Sequence, residues 1–249
     1  MRAMTPDFPV VRALVRVVLL ALMLAGCAAA RGPSNDGVSP PPGGATGELP
    51  DLLQPEPGGV LSEVDAGHSQ VRILVFRAGR ASALGHNHVL AVPKLRGRLW
   101  TPAQGLAGAR FALAFRLDEL LLDPPELRAG LGQGWASVLS PEAVAATREH
   151  MLGPDNLQAE TFPWVRMRSL QIVGEAPHLA AELEIELHGQ RQRQWVALEV
   201  QPAEPGLAVS GSLVVRQSDH GVRPYAVLGG LLAVEDALVV DFQLRLVPR

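Results

Sequence analysis

From Val60 to the end of the chain, apolar and polar residues alternate with a period of two in short runs that turn residues separate. Successive side chains of a β-strand point to opposite faces, so this alternation predicts strands with one buried face and one solvated face. The clearest run places four apolar side chains on one face: Phe111, Leu113, Phe115 and Leu117. The pattern therefore restricts this part of the chain to a fold built mainly from half-buried β-strands.

The same alternation recurs along the rest of the region. Seven further strands are predicted: Val71–Arg77, Val89–Trp100, Trp164–Val173, 182–188, 196–200, Leu207–Gln217 and Ala237–Val247. The last of them holds five apolar side chains on a single face: Leu238, Val240, Phe242, Leu244 and Leu246. About eight strands in some 190 residues are typical of an antiparallel β-barrel or a β-sandwich.

One segment breaks the strand pattern. Ser140-Pro141-Glu142 supplies a capping hydroxyl and a proline for the first helical position, which predicts a helix from there to Met151. Gly153-Pro154 then ends it. We therefore expect an all-β fold, an antiparallel eight-stranded barrel with one short helix inserted between strands. A barrel of eight strands has either a packed interior or room for one small ligand.

Composition excludes several classes of protein. The net charge is −3 and aromatic residues make up only 4% of the chain. Such a chain has neither the positive field nor the stacking surfaces that nucleic acid requires, so we expect no nucleic-acid partner. The single cysteine excludes a disulfide framework and a structural zinc site built on thiolates.

The first 26 residues read as a signal peptide. Three arginines (Arg2, Arg12 and Arg16) precede an apolar run, Val17–Leu24, that is too short to span a bilayer. The following Leu24-Ala25-Gly26-Cys27 resembles the lipobox of bacterial lipoproteins. The alternative is an ordinary cleaved signal peptide followed by an incidental cysteine.

The lipobox resemblance implies cleavage before Cys27 and acylation of that residue with chains such as palmitate. Several acyl chains hold a protein to a membrane durably. Residue 28 is alanine rather than the aspartate that retains such proteins at the inner membrane, which implies the outer membrane, facing the periplasm. Residues 27–59, rich in proline and glycine, then form a tether, and residues 60–249 form the folded domain.

Five segments of the domain resemble, in order and spacing, the pattern of the YceI family: Val64–Val71, Asn156–Pro163, Leu187–Gln190, Gln217–Val222 and Val234–Leu238. The chain departs from that pattern in three places. The third segment lacks the family's threonine, His220 replaces an aromatic residue, and Gly85-His86-Asn87-His88 is an addition. The resemblance implies a lipocalin-like barrel that holds a polyisoprenoid-type lipid, and a binding protein rather than an enzyme.

The histidines are the sharpest local feature. On an extended chain His86 and His88 would project to one face and offer two imidazoles to a metal ion, with His68 or His220 as a third ligand. The alternative is that these histidines bond backbone groups at the barrel mouth or contact the polar end of a ligand. We take His68, His86, His88 and His220 as mouth or pocket candidates, and His86 and His88 as candidate metal ligands. Trp100 and Trp164 are assigned to the barrel wall or to the cavity lining.

No catalytic constellation is apparent. Asp219-His220 are neighbours whose side chains would point to opposite faces of a strand, and the chain has no G-x-S-x-G motif. The leading interpretation is therefore an envelope lipoprotein that binds an apolar chain, without a catalytic cofactor. The alternatives are a histidine-based metal or redox-accessory protein of the periplasm, and a non-catalytic interaction module that presents loops such as 123–139.

Overall fold

A computed structural model of the chain describes residues 58–249 together with Leu49. Within these residues the strands are β1 Val60–Val64, β2 Gln70–Val75, β3 Arg77–Ala78, β4 His88–Ala91, β5 Arg96–Thr101, β6 Arg110–Arg116, β7 Leu121–Leu122, β8 Trp164–Glu175, β9 His178–Leu187, β10 Gln190–Pro202, β11 Leu207–Arg216, β12 Ala226–Val227, β13 Leu232–Val234 and β14 Ala237–Pro248. The α-helices are α1 Pro125–Ala129 and α2 Pro141–Leu152. The predicted signal peptide, Cys27 and nearly all of the tether lie outside the described residues.

The strands close into an eight-stranded antiparallel barrel. Three of its walls are bent pairs of strands (β1 with β2, β4 with β5, and β6 with β7), and β8, β9, β10, β11 and β14 supply the other five. Neighbours in the barrel are neighbours in the chain, and β14 returns to pair with both β1 and β2. The predicted barrel is confirmed, and the sandwich is excluded because the sheet closes.

Two of the predicted runs bend instead of continuing straight. The segment 64–71 is interrupted by a 3₁₀ turn, Ala66–His68, which begins where the Asp65 carboxylate accepts a hydrogen bond from the Gly67 N–H. The predicted strand Val89–Trp100 is likewise divided, into β4 and β5, by residues 92–95. These corners let one wall pair with β14 along its whole length while the barrel curves.

The inner face of the barrel is the face that the alternation predicts. All four apolar side chains of the 111–117 run and all five of the 238–246 run line the interior. On the outer face of the neighbouring strands β8 and β9, charged side chains form ion pairs, among them Arg168 with Glu184 at 2.7 Å and Arg166 with Glu186 at 2.9 Å. Binary patterning alone therefore settles which way these strands face.

Helix α2 lies where the sequence predicts it. The Ser140 hydroxyl accepts a hydrogen bond from the Ala143 N–H, Pro141 occupies the first turn, and the helix ends at Leu152 before Gly153. The shorter α1 was not predicted; it follows Pro124, begins at Pro125 and spans only five residues. Within the described part of the chain, neither helix has the length and apolar character needed to cross a membrane.

Candidate functional site

The barrel encloses a large cavity. Its volume is about 560 Å³, within the range of about 300–1,000 Å³ that small-molecule sites occupy. Leucine, valine, isoleucine, phenylalanine and methionine side chains from all eight walls line it. The interior is therefore not packed solid, and its surface is suited to an apolar ligand.

The two ends of the cavity differ in polarity. At the end beneath α2, which we call the mouth, six side chains with polar atoms join the lining: His88, Thr147, His150, Asn156, Gln217 and Tyr225. The opposite end is lined by apolar side chains: Leu99, Leu106, Ala109, Ile172, Leu207 and Leu246. Arg98 also reaches this second end, and its guanidinium lies 3.6 Å from the carboxylate of Glu63.

A buried ionic network anchors the mouth. Asp123 has no exposed side-chain surface; one of its oxygens lies 2.6 Å from His88 Nδ1 and the other 2.6 Å from an Arg128 nitrogen. The second oxygen also accepts a hydrogen bond from the Val89 N–H at 3.0 Å. Arg128 in turn donates to the carbonyl oxygens of Asn87 and Ser137. Every charge of the network is therefore paired, which is what burial of an ion requires.

The contact with Asp123 determines that the Nδ1 atom of His88 is a hydrogen-bond donor. Burial by itself raises the pKa of Asp123, but the hydrogen bonds from His88 and Val89, with Arg128 beside them, hold that pKa below its ordinary value. An ionised carboxylate only accepts hydrogen bonds, so His88 Nδ1 carries a proton and donates it to Asp123. The other ring nitrogen, Nε2, is the one left for a group inside the mouth.

The rest of Gly85-His86-Asn87-His88 ties loops together. His86 Nδ1 lies 3.1 Å from the Ser137 hydroxyl, while the Asn87 side chain accepts from the Arg77 N–H and donates to the Gly134 carbonyl. β4 begins at His88, so His86 lies in the preceding loop and the two-residue spacing of an extended strand does not apply to the pair. In the described part of the chain no three histidine, cysteine, aspartate or glutamate side chains are grouped to hold a metal ion. The assignment of a metal to His86 and His88 stays a prediction.

The other two predicted histidines lie away from the cavity lining. His68 is on the surface, with its Nδ1 atom 2.7 Å from the Asp65 carboxylate and 80% of its side chain exposed. His220 is buried in the corner formed by the β9–β10 turn and the end of β11, where its Nδ1 lies 3.4 Å from the Gln190 carbonyl oxygen. Burial lowers the pKa of His220.

The two predicted tryptophans belong to the wall. Trp100 is buried at the end of β5, where a side chain at Gly59 would collide with its indole ring. Trp164 is stacked on the outside of the barrel with the guanidinium groups of Arg96 and Arg116 at 4.9 and 5.4 Å from its ring centre. Of the six predicted pocket residues, His88 alone is among the described side chains that line the cavity.

Two residues of the mouth network were not predicted from the sequence. Asp123 and Arg128 lie 35 and 40 positions beyond His88, so local spacing does not connect them to it. The sequence feature that could have indicated a buried site is Asp123 itself, a carboxylate that follows the apolar run Leu120-Leu121-Leu122 and precedes two prolines. A charge placed at the end of such a run is either solvated or paired inside the fold.

Comparison with solved structures finds several proteins to which this chain is similar. BcnA of Burkholderia cenocepacia superposes with a TM-score of 0.55 at 14% identity, over 73% of this chain and 98% of that one. The YceI protein of Campylobacter jejuni superposes with a TM-score of 0.40 at 8% identity, over 56% of this chain and 72% of that one. A mutant of that protein gives a TM-score of 0.47 at 7% identity, over 64% and 84%. No family model and no curated protein matches the sequence.

The superposition on BcnA extends over nearly the whole of that chain. The predicted resemblance to YceI proteins is therefore confirmed at the level of the fold.

Proposed function

We propose that this YceI-like barrel is a binding protein whose cavity holds an apolar chain, such as a polyisoprenoid or a fatty chain. The observation that supports this most directly is the apolar cavity of about 560 Å³ running through the barrel. Each methylene group that leaves water for such a lining contributes about 0.8 kcal/mol. A long hydrocarbon chain therefore gains more from this cavity than a compact polar molecule does.

The sequence supports an envelope location for this binding protein. The lipobox-like Leu24–Cys27 follows a basic and apolar leader, so the proposed anchor is an acylated Cys27 in the outer membrane, facing the periplasm. The proline- and glycine-rich composition of residues 28–59 is typical of a spacer between a membrane anchor and a folded domain. The barrel would thus remain within reach of the membrane in which an apolar ligand dissolves.

The binding proposal is tested by lipid analysis of the full chain, expressed with its leader in a bacterium and purified from the envelope. We expect a hydrocarbon-rich molecule that accompanies the folded protein and is released on denaturation. Two adjacent valines of β11 give a matched pair of variants: Val215 lines the cavity, whereas Val214 is 52% exposed on the outer wall. Val215→Trp should displace the lipid because the indole fills the cavity, and Val214→Trp should retain it.

Two outcomes would contradict the binding proposal. One is a wild-type chain that carries no lipid and takes up none from vesicles containing polyprenol. The other is equal lipid content in the two tryptophan variants, which would place the lipid on the outside of the barrel. Mass spectrometry of the purified proteins under native conditions measures both.

The anchoring proposal has its own variant. Cys27→Ser removes the sulfur that would be acylated, so the protein should leave the membrane fraction and lose incorporation of labelled palmitate. The described barrel does not include Cys27, so its lipid content should stay unchanged. A Cys27→Ser protein that still sediments with membranes would overturn the anchor without affecting the proposed cavity function.

A further inference from the structure

We propose that the ligand is an amphiphile with a hydroxyl head group, and that His88 binds this hydroxyl at the mouth. This inference rests on the proposed binding function and deepens it. It follows from the polarity of the cavity, the pairing of the His88 ring and the charge of the groups around it.

The polarity of the cavity orients the ligand. His88, Thr147 and Asn156 bring polar atoms to the mouth, whereas Leu99 and Leu246 close the opposite end with apolar surface. Arg98 also reaches that end, but its guanidinium faces the Glu63 carboxylate at 3.6 Å and 46% of its side chain is exposed to solvent. A polar head buried among the far-end leucines would therefore lose its hydrogen bonds to water without replacing them, which costs free energy. The hydrocarbon tail therefore lies along the barrel and the head lies at the mouth.

The pairing of His88 selects the chemistry of the head. Its Nδ1 atom is committed to Asp123 at 2.6 Å, which holds the ring in place and leaves Nε2 as the available nitrogen. Neutral imidazole accepts a hydrogen bond at Nε2, and imidazolium donates one there. A hydroxyl group both donates and accepts, so it matches Nε2 in either state, whereas a carboxylate or phosphate matches only the charged ring.

The charge at the mouth also favours a neutral head. Arg128 is engaged by Asp123, Asn87 and Ser137, and it does not belong to the lining. Among the described side chains that line the mouth, none carries a permanent positive charge, and Thr147, Asn156 and Tyr225 are neutral. A phosphate head would lack the arginine fork that usually binds it.

The test compares four probes of equal chain length: hexadecane, hexadecan-1-ol, hexadecanoate and hexadecyl phosphate. Each displaces a fluorescent fatty chain from the full-length protein in detergent at neutral pH. A hydrogen bond to a neutral partner is worth roughly a factor of 10 in affinity, so the alcohol should bind about 10-fold more tightly than the hydrocarbon. The two anionic probes should show no such gain.

His88→Leu should abolish the preference for the alcohol, so that hexadecane and hexadecan-1-ol bind with equal affinity. The matched control is His68→Leu. It removes a histidine on the outside of the barrel whose Nδ1 atom contacts a different aspartate, Asp65, at 2.7 Å. His88→Gln, whose amide also donates and accepts, should restore part of the preference. The circular dichroism spectrum of each variant checks that the barrel has folded.

The outcomes separate this inference from the proposed function. Failure of all four probes to bind would overturn both. Equal affinity for hexadecane and hexadecan-1-ol, or tighter binding of an anionic probe, would overturn the hydroxyl head alone. Retention of the alcohol preference in a folded His88→Leu protein would remove His88 from the site.

Discussion

The barrel contains two histidine–aspartate pairs that differ in their surroundings. In His68–Asp65 the Nδ1 to oxygen distance is 2.7 Å, and in His88–Asp123 it is 2.6 Å. The first pair lies on the surface, with 80% of the histidine side chain and 32% of the aspartate side chain exposed. In the second pair these values are 17% and 0%.

The comparison shows that burial, rather than the contact itself, decides what such a pair does. Water screens the surface pair, and exposed ion pairs contribute little to stability. Around Asp123 water is excluded, so the carboxylate depends on its protein partners: His88, Arg128 and the Val89 N–H. The buried pair holds the mouth in one geometry, while the surface pair accompanies a 3₁₀ turn.

The largest effect should come from removing the buried carboxylate. Asp123→Ala leaves Arg128 and His88 without their shared partner inside the fold, and breaking a buried ion pair in this way costs about 3–5 kcal/mol. Asp65→Ala, the matched change on the surface, should lower the free energy of unfolding much less. Urea denaturation of both proteins measures the difference, and equal losses would show that burial does not separate the two pairs.

A smaller loss of stability should follow when Arg128 is replaced by lysine, which keeps the positive charge but not the planar guanidinium group. Arg128 reaches Asp123 and the Asn87 and Ser137 carbonyls with a planar fork, which the ammonium group of lysine does not reproduce. Arg128→Lys should therefore cost about 1.5–3 kcal/mol, the range for hydrogen bonds to charged groups. Arg191→Lys, at an exposed pair with Glu186, is the control and should unfold like the wild type. A loss in the control as large as that in Arg128→Lys would contradict the role of the fork.

The sequence predicts the barrel better than it predicts the site, for a physical reason. Alternation along a strand indicates which face of that strand is buried. The residues from Phe111 to Leu117 therefore predict the cavity lining on their own strand, whichever strands pair with it. The helix after Ser140 is equally local, because its cap and its first proline are adjacent in the chain. Both were predicted from short windows and both are confirmed.

The mouth network is not local. His88 begins β4, and Asp123 directly follows β7. The two side chains meet only because β4 pairs with β7, and no short window of the sequence contains both residues. A short window pairs His86 with His88, whereas in the structure β4 begins at His88 and the His86 ring lies 3.1 Å from the Ser137 hydroxyl. Long-range pairing of this kind requires the closed barrel to be known first.

The smallest effect concerns His220, a third histidine that sharpens the comparison. Its ring is buried, but it meets the Gln190 carbonyl oxygen instead of a carboxylate. Burial lowers its pKa, with His188 acting in the same direction, while Gln190 and Asp219 oppose the shift. The unfolded chain therefore binds the proton first as the pH falls. The contribution of neutral His220 to the free energy of unfolding is complete above about pH 6.5. It declines below that value, by at most about 1.4 kcal/mol per pH unit for one group.

His220→Phe should remove this decline, because phenylalanine keeps an aromatic ring in the corner and has no proton to bind. The YceI-like pattern has an aromatic residue at this position, so the substitution should leave the fold intact. Free energies of unfolding measured between pH 7.5 and pH 5 should fall less steeply in His220→Phe than in the wild type. His68→Phe, which removes the solvated histidine, should keep the wild-type slope. Equal slopes in the wild type and His220→Phe would assign the acid sensitivity to another group, and burial without a carboxylate would then have no measurable consequence in this barrel.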